Sequence, residues 1–148
     1  MPSQAQPERP EALTHVLEEA ERQALREVLD DEYRAWATHD QAIRDLGPKP
    51  PFMAIRDGKA RHIEALRTLF QRYGLPVHEN TWPGRVPEYA SIHGACEAGI
   101  EAEIASTALY DRLMQTTSRA DIRAVFEDLR RASREHHLPP LRRCLTRG

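Results

Sequence analysis

The stretch Lys59-Ala60-Arg61-His62-Ile63-Glu64-Ala65-Leu66 decides how the chain is read, because it has an echo near the C-terminus, Arg134-Glu135-His136-His137-Leu138. In both, a base stands three residues before a histidine, about one helical turn away. Each stretch follows an acidic position in an earlier segment. Glu32 precedes His39 by seven residues, and Glu103 precedes Tyr110 by the same interval. Two hairpins, each bringing a glutamate from its first helix and a histidine from its second, form the skeleton of a carboxylate–histidine metal centre in a four-helix bundle. That skeleton ordinarily carries Glu-x-x-His on the second and fourth helices. Here Lys59 and Arg134 stand where those glutamates belong.

Proline and glycine divide the chain around these stretches. A first helical segment runs from about Pro10 to Leu46, where Leu25, Val28, Glu32, Ala35, His39, Ile43 and Leu46 keep the rhythm of one buried face. Gly47-Pro48 reads as a C-cap and stop. A second helix spans about Phe52 to Tyr73, with Ile55, Lys59, His62, Leu66, Leu69 and Phe70 on one face. From Leu75 to about Ala90 there is no periodicity, and the connection is long enough to cross a bundle. A third helix, about Ser91 to Gln115, aligns Cys96, Ile100, Glu103, Thr107, Tyr110 and Met114. Ser118 and Asp121 resemble a capping box that opens a fourth helix. That helix aligns Ile122, Phe126, Leu129, Ser133, His137 and Leu141 and runs to about Arg143. Pro139 and Pro140 must kink or loosen its last turns, because Pro140 lacks the N–H that would bond to His136. The order predicts an all-α, antiparallel four-helix bundle over residues 11–148, made of two helical hairpins joined by a long crossover.

Composition narrows the partners. A chain of 148 residues suits one domain with one sizeable core. Its net charge of −2, with 30% charged residues, points to neither nucleic acid nor membrane as a partner. No apolar run is long enough for a membrane-spanning helix. Met1 to Pro10 is polar and proline-containing, and reads as a disordered lead-in rather than a signal peptide. The expected location is cytoplasmic as written, or periplasmic or secreted if a signal was removed. A homodimer is left open.

Seven polar residues fall at or beside interior positions: Glu32, His39, Lys59, His62, Glu103, Arg134 and His137. Uncompensated buried charge costs several kcal/mol per ion, so such groups are paired or bind metal. One reading is a metal site using Glu32, His62, Glu103 and His137, whose donor types suit iron, manganese, zinc or copper. The other needs no cofactor: two glutamates are neutralised by Lys59 and Arg134 in a salt-bridge network. His39 and Tyr110 are secondary candidates that core packing also explains. His136 and Glu101 are further candidates that a solvated helix face explains better.

The two cysteines are also placed by the hairpin geometry. With the turn between the third and fourth helices near Thr117, Cys96 lies level with a residue near position 140. Cys96 and Cys144 therefore come within about one turn of each other, which permits a disulfide.

The stretches Asp31-Glu32-Tyr33-Arg34-Ala35, Ala60-Arg61-His62-Ile63-Glu64-Ala65-Leu66, Ala95-Cys96-Glu97-Ala98-Gly99-Ile100-Glu101-Ala102-Glu103, Ala108-Leu109-Tyr110-Asp111-Arg112-Leu113 and Ala132-Ser133-Arg134-Glu135-His136-His137-Leu138-Pro139 resemble the ferritin-like domain of unknown function, type 2202. The resemblance covers most of the chain, from about Leu25 to Cys144. It implies a ferritin-like, rubrerythrin-like four-helix fold, in which Glu32, His62, Glu103 and His137 match ligand positions. The chain departs from the rubrerythrin pattern at Lys59 and Arg134. Three functions follow: a protein binding a single transition metal for metal handling or redox protection; a metal-free relative acting as a structural or interaction module; and, ranked last because of Lys59 and Arg134, a di-metal oxidoreductase.

Overall fold

A computed structural model of the chain describes residues 16–147. The expected lead-in, and the start of the predicted first helix, lie outside those residues. Among the described residues the chain is all helical, with no strand. Helix α1 spans Glu19–Leu46, α2 Phe52–Arg72, α3 Ile92–Leu113, α4 Ala120–Ala132 and α5 Leu138–Arg147. A π turn, Ser133–His137, joins α4 to α5 without a break, so the two form one long rod.

Local chemistry sets the ends. Helix α1 opens at Glu19, where Glu18 is extended and its N–H is taken by the Glu21 carboxylate at 2.9 Å. Gly47, with φ of 93°, closes α1, and Gly74, with φ of 68°, lets Leu75 N–H reach back to the Phe70 carbonyl after α2. Ser91 caps α3 by accepting from Gly94 N–H at 3.0 Å. The Ser118–Asp121 capping box does not form: Arg119 is the N-cap residue of α4. Asp121 instead faces α2, accepting from Tyr73 Oη at 2.7 Å and Arg72 at 2.8 Å.

Cross-helix contacts give the directions. Glu32 meets His62 and Asp40 meets Arg56, so α1 and α2 are antiparallel. Glu21 bonds to Thr117, Asp31 to Ser106 and Asp45 to the Tyr89 backbone, so α3 also runs against α1. The fourth rod runs against both α2 and α3, through Arg72–Asp121 and Arg130–Asp111. Hence α2 and α3 point the same way, and the chain must travel the length of the molecule between them. Residues 73–91 do this along α1. Tyr33 Oη donates to the His78 carbonyl, and Trp82 Nε1 donates to Asp30.

Apolar burial forms two clusters. One gathers Leu25, Leu29, Leu66, Phe70, Leu113 and Phe126; the other gathers Ala42, Phe52, Ile55, Cys96 and Leu141. Along each helix the residues between the clusters are polar: Glu32, Lys59, Glu103 and His137. A polar layer therefore cuts the core in two.

The π turn corrects the reading of Arg134. Leu138 N–H bonds to the Ser133 carbonyl, five residues back, just before Pro139 and Pro140 remove two helical donors. This wider turn keeps Ser133 and His137 both facing inward. Arg134 is carried off that face. Its side chain is 53% exposed and only approaches Asp111, at 3.6 Å.

Cys96 in α3 and Cys144 in α5 are joined by a disulfide, with Cα atoms 6.3 Å apart. It ties the two helices of the second hairpin at the end far from their turn. Replacing Cys144 by serine should lower unfolding stability by about 2–4 kcal/mol, measured by urea denaturation of the oxidised parent and the variant. Reductant should weaken the parent and leave the variant unchanged.

Candidate functional site: a buried Lys–Glu–His centre

Four helical elements each supply part of the polar layer. Glu32 comes from α1, Lys59 and His62 from α2, Glu103 from α3 and His137 from the π turn. Both glutamates are fully buried and Lys59 is 1% exposed. The Lys59 Nζ lies 3.5 Å from Glu32 Oε2 and 3.2 Å from Glu103 Oε2. It thus bridges α1 and α3 from a third helix.

Each glutamate also holds one imidazole. His62 Nδ1 lies 2.9 Å from Glu32 Oε1, and His137 Nδ1 lies 3.0 Å from Glu103 Oε1. An ionised carboxylate only accepts, so in each ring Nδ1 carries the proton that it donates. The two rings lie 5.8 Å apart, centroid to centroid. Gly58 makes room for the second ring: a Cβ there would stand 3.3 Å from His137 Nε2.

Tyr110 completes the centre from α3. Its buried hydroxyl donates a short hydrogen bond to Glu32 Oε2 and also lies 3.1 Å from Asp31 Oδ2. Asp31 accepts from Ser106 Oγ at 2.6 Å and pairs with Arg34 at 2.5 Å. Ser133 Oγ lies 3.2 Å from the Glu103 carbonyl. Ser133 lies on the interior stripe read for the fourth helix, but Asp31 and Ser106 were not among the residues singled out in the sequence. Two signals point to them: Asp31 adjoins Glu32, and Ser106 stands four residues before Tyr110, on the same helix face.

The remaining candidates separate. His39 is buried beside Phe52, with ring centroids 6.2 Å apart, close to the centre but outside its hydrogen-bond network. Glu101, His136 and Arg134 are exposed. The Lys/Arg–Glu network is therefore a network of Lys59 alone.

The electrostatics follow from this packing. Burial pushes both glutamates upward, but the Lys59 ammonium and the histidine hydrogen bonds outweigh it. Glu32 is held at about 2, and Glu103 well below the usual carboxylate range. Burial pushes Lys59 downward, and the charges of Glu103 and Glu32 more than restore it, so it stays protonated. Burial lowers His39 to about 4 and lowers His137 as well. Burial and Glu32 raise Tyr110 well above its ordinary value, so it remains a donor.

As arranged, these residues do not fit a metal ion. The ammonium occupies the space between the carboxylates, and both Nδ1 atoms are turned to carboxylate oxygens. Among the described residues no three or more His, Cys, Asp or Glu are placed to hold a metal. One acceptor is unused: Glu103 Oε2 is buried and faces Nζ, yet makes no directed hydrogen bond.

Lys59→Ala should cost about 3–5 kcal/mol in urea unfolding, because it leaves two buried carboxylates without a countercharge. Arg134→Ala should change stability by less than about 0.5 kcal/mol. The pH dependence has two stages. His39 falls from 6.5 unfolded to about 4 folded, so stability drops as pH falls from 6.5 towards 4 while only the unfolded chain gains that proton. Glu32 falls from 4.5 unfolded to about 2 folded, so its contribution is complete above 4.5 and is lost as pH falls towards 2. In urea midpoints measured against pH, His39→Gln should reduce the upper stage, to which His137 also contributes, and leave the lower one.

No protein-family model matches the chain, and no curated protein matches it. Among solved structures, it is similar to the crystal structure of a hypothetical protein from Methanococcus jannaschii DSM 2661. The two are 21% identical, with a TM-score of 0.78 over 88% of this chain and 82% of that one. At that identity the likeness establishes a shared all-helical fold.

Proposed function

We propose that the chain is a ferritin-like four-helix bundle in which an internal ammonium takes the place of a resident metal ion, and that it serves as a metal-independent structural or binding module. The observation that carries this reading is Lys59, buried with Nζ 3.2–3.5 Å from two carboxylates on different helices. The helix directions support the ferritin-like part, since α2 and α3 run parallel and are joined by a crossover. The ammonium supplies countercharge that these glutamates would otherwise take from a cation. It also repels any cation that approaches them.

A second reading, a single bound transition metal, keeps one observation in its favour. Glu103 Oε2 is a buried carboxylate oxygen without a directed donor. A metal ion there would have to displace Lys59 Nζ.

Metal titration separates the readings. Protein purified without chelator should carry substoichiometric iron, manganese, zinc and copper by elemental analysis, and its Tm should not move on adding them. Lys59→Glu should be less stable without metal and regain stability with it, by about 2.7 kcal/mol at a hundredfold excess over Kd. A parent that purifies with one equivalent of metal, or is stabilised by metal as strongly as the variant, would establish the single-metal reading instead.

A further inference from the structure

At the end of the molecule where α2 begins and α5 finishes, two clefts adjoin. One, of about 640 Å³, lies between the α1–α2 turn, the start of α3 and the end of α5. The other, of about 560 Å³, lies between α2 and the π turn. They share Pro50, Pro51 and Pro140, so they form one continuous groove. Each volume falls in the range of roughly 300–1,000 Å³ usual for small-molecule sites.

The lining of the groove is lopsided. Its walls combine apolar groups, Ile92 in one part, Ala54 and the edge of the buried Ile55 in the other and the prolines between, with the imidazoles of His93, His62, His136 and His137. Its charged residues are all basic: Lys49, Arg143 and Arg147 at one part, Arg61 at the other. No aspartate or glutamate lines either part, although acids outnumber Lys and Arg by 23 to 21 in the chain. Elsewhere many arginines are held by carboxylates, as at Arg44, Arg56, Arg72 and Arg130. Lys49, Arg61, Arg143 and Arg147 make no ion pair with a carboxylate among the described residues. Rigid proline and isoleucine surface next to unpaired cations is complementary to a molecule with an apolar body and one anionic end.

We propose that this groove binds a free amphipathic carboxylate of the medium-chain fatty-acid class. The carboxylate lies among Lys49, Arg143 and Arg147, and the alkyl chain runs over Pro51 and Pro140 towards Ile55. Guanidinium groups match a carboxylate with paired N–H donors, and removal of the chain from water supplies the rest. The carboxylate end lies at Lys49, Arg143 and Arg147, away from the buried centre, whereas the inner part of the groove is bordered by His62 and His137 of that centre.

The test is isothermal titration of the full chain with sodium octanoate below its micelle concentration. Acetate, octylamine and phosphatidylglycerol vesicles form the other arms. One octanoate should bind per chain. Acetate should bind at least about tenfold more weakly for want of a tail, and octylamine should not bind. Lys49→Ala with Arg143→Ala should weaken octanoate by about tenfold or more, with an unchanged melting curve because both side chains are exposed. Methyl NMR shifts on octanoate addition should centre on Ile55 and Ile92. Equal binding of octanoate and octylamine would overturn the proposal, as would parent-like affinity in the double variant. So would shifts centred elsewhere, or binding confined to vesicles, which would make the groove a membrane-facing surface.

Discussion

A lysine ammonium lying between two glutamates, in a polar layer enclosed by two apolar clusters, constrains everything around it. Two carboxylates from α1 and α3 could not both stay ionised at zero exposure without a countercharge. Lys59 cancels one of those charges. The rest is spread over hydrogen bonds from His62, His137 and Tyr110. Because the contacts come from α1, α2, α3 and the π turn, the charge pairing also fixes how the helices stand relative to one another. Hydrocarbon packing alone is less particular about register than a salt bridge whose atoms must meet within about 4 Å.

The fourth rod shows how the backbone is adapted to that constraint. Two adjacent prolines deprive a helix of two donors, and the chain answers with a π turn placed before them. The result is more than tolerance of proline. The wider turn aligns Ser133 with His137, so one residue ties the Glu103 backbone and the other its carboxylate. Arg134 is sent to solvent in exchange. At the end of the same rod, the disulfide holds α5 against α3 beside the second apolar cluster. The polar layer is thus enclosed between a cross-linked apolar end and the larger apolar end.

The likeness to an archaeal protein at 21% identity fits a fold that depends on pattern more than on particular side chains. Apolar residues recur at helical spacing in both clusters and many substitutions would preserve them. The polar layer and the basic groove are the parts where side-chain identity matters. They meet at His62 and His137, which belong to the layer and also line the inner part of the groove.

The sequence by itself determined the all-helical class, the stop at Gly47, the long connection after α2, and the interior positions of Glu32, Lys59, Glu103 and His137. Helical periodicity and the conformations open to glycine and proline are local properties, and local properties are written in the chain. The closeness of Cys96 and Cys144 followed from hairpin geometry for the same reason. Tertiary structure alone decided which base neutralises the glutamates. Lys59 and Arg134 hold matching places before a histidine, yet one is buried and the other exposed. The difference comes from a π turn whose hydrogen bond no residue pattern announced. Asp121 likewise served α2 rather than its own helix end, because Tyr73 and Arg72 reach it from across the fold. The basic groove joins residues from the α1–α2 turn, α2, the start of α3 and the end of α5. Such a surface exists only once the helices have docked, because no local rule brings those segments together.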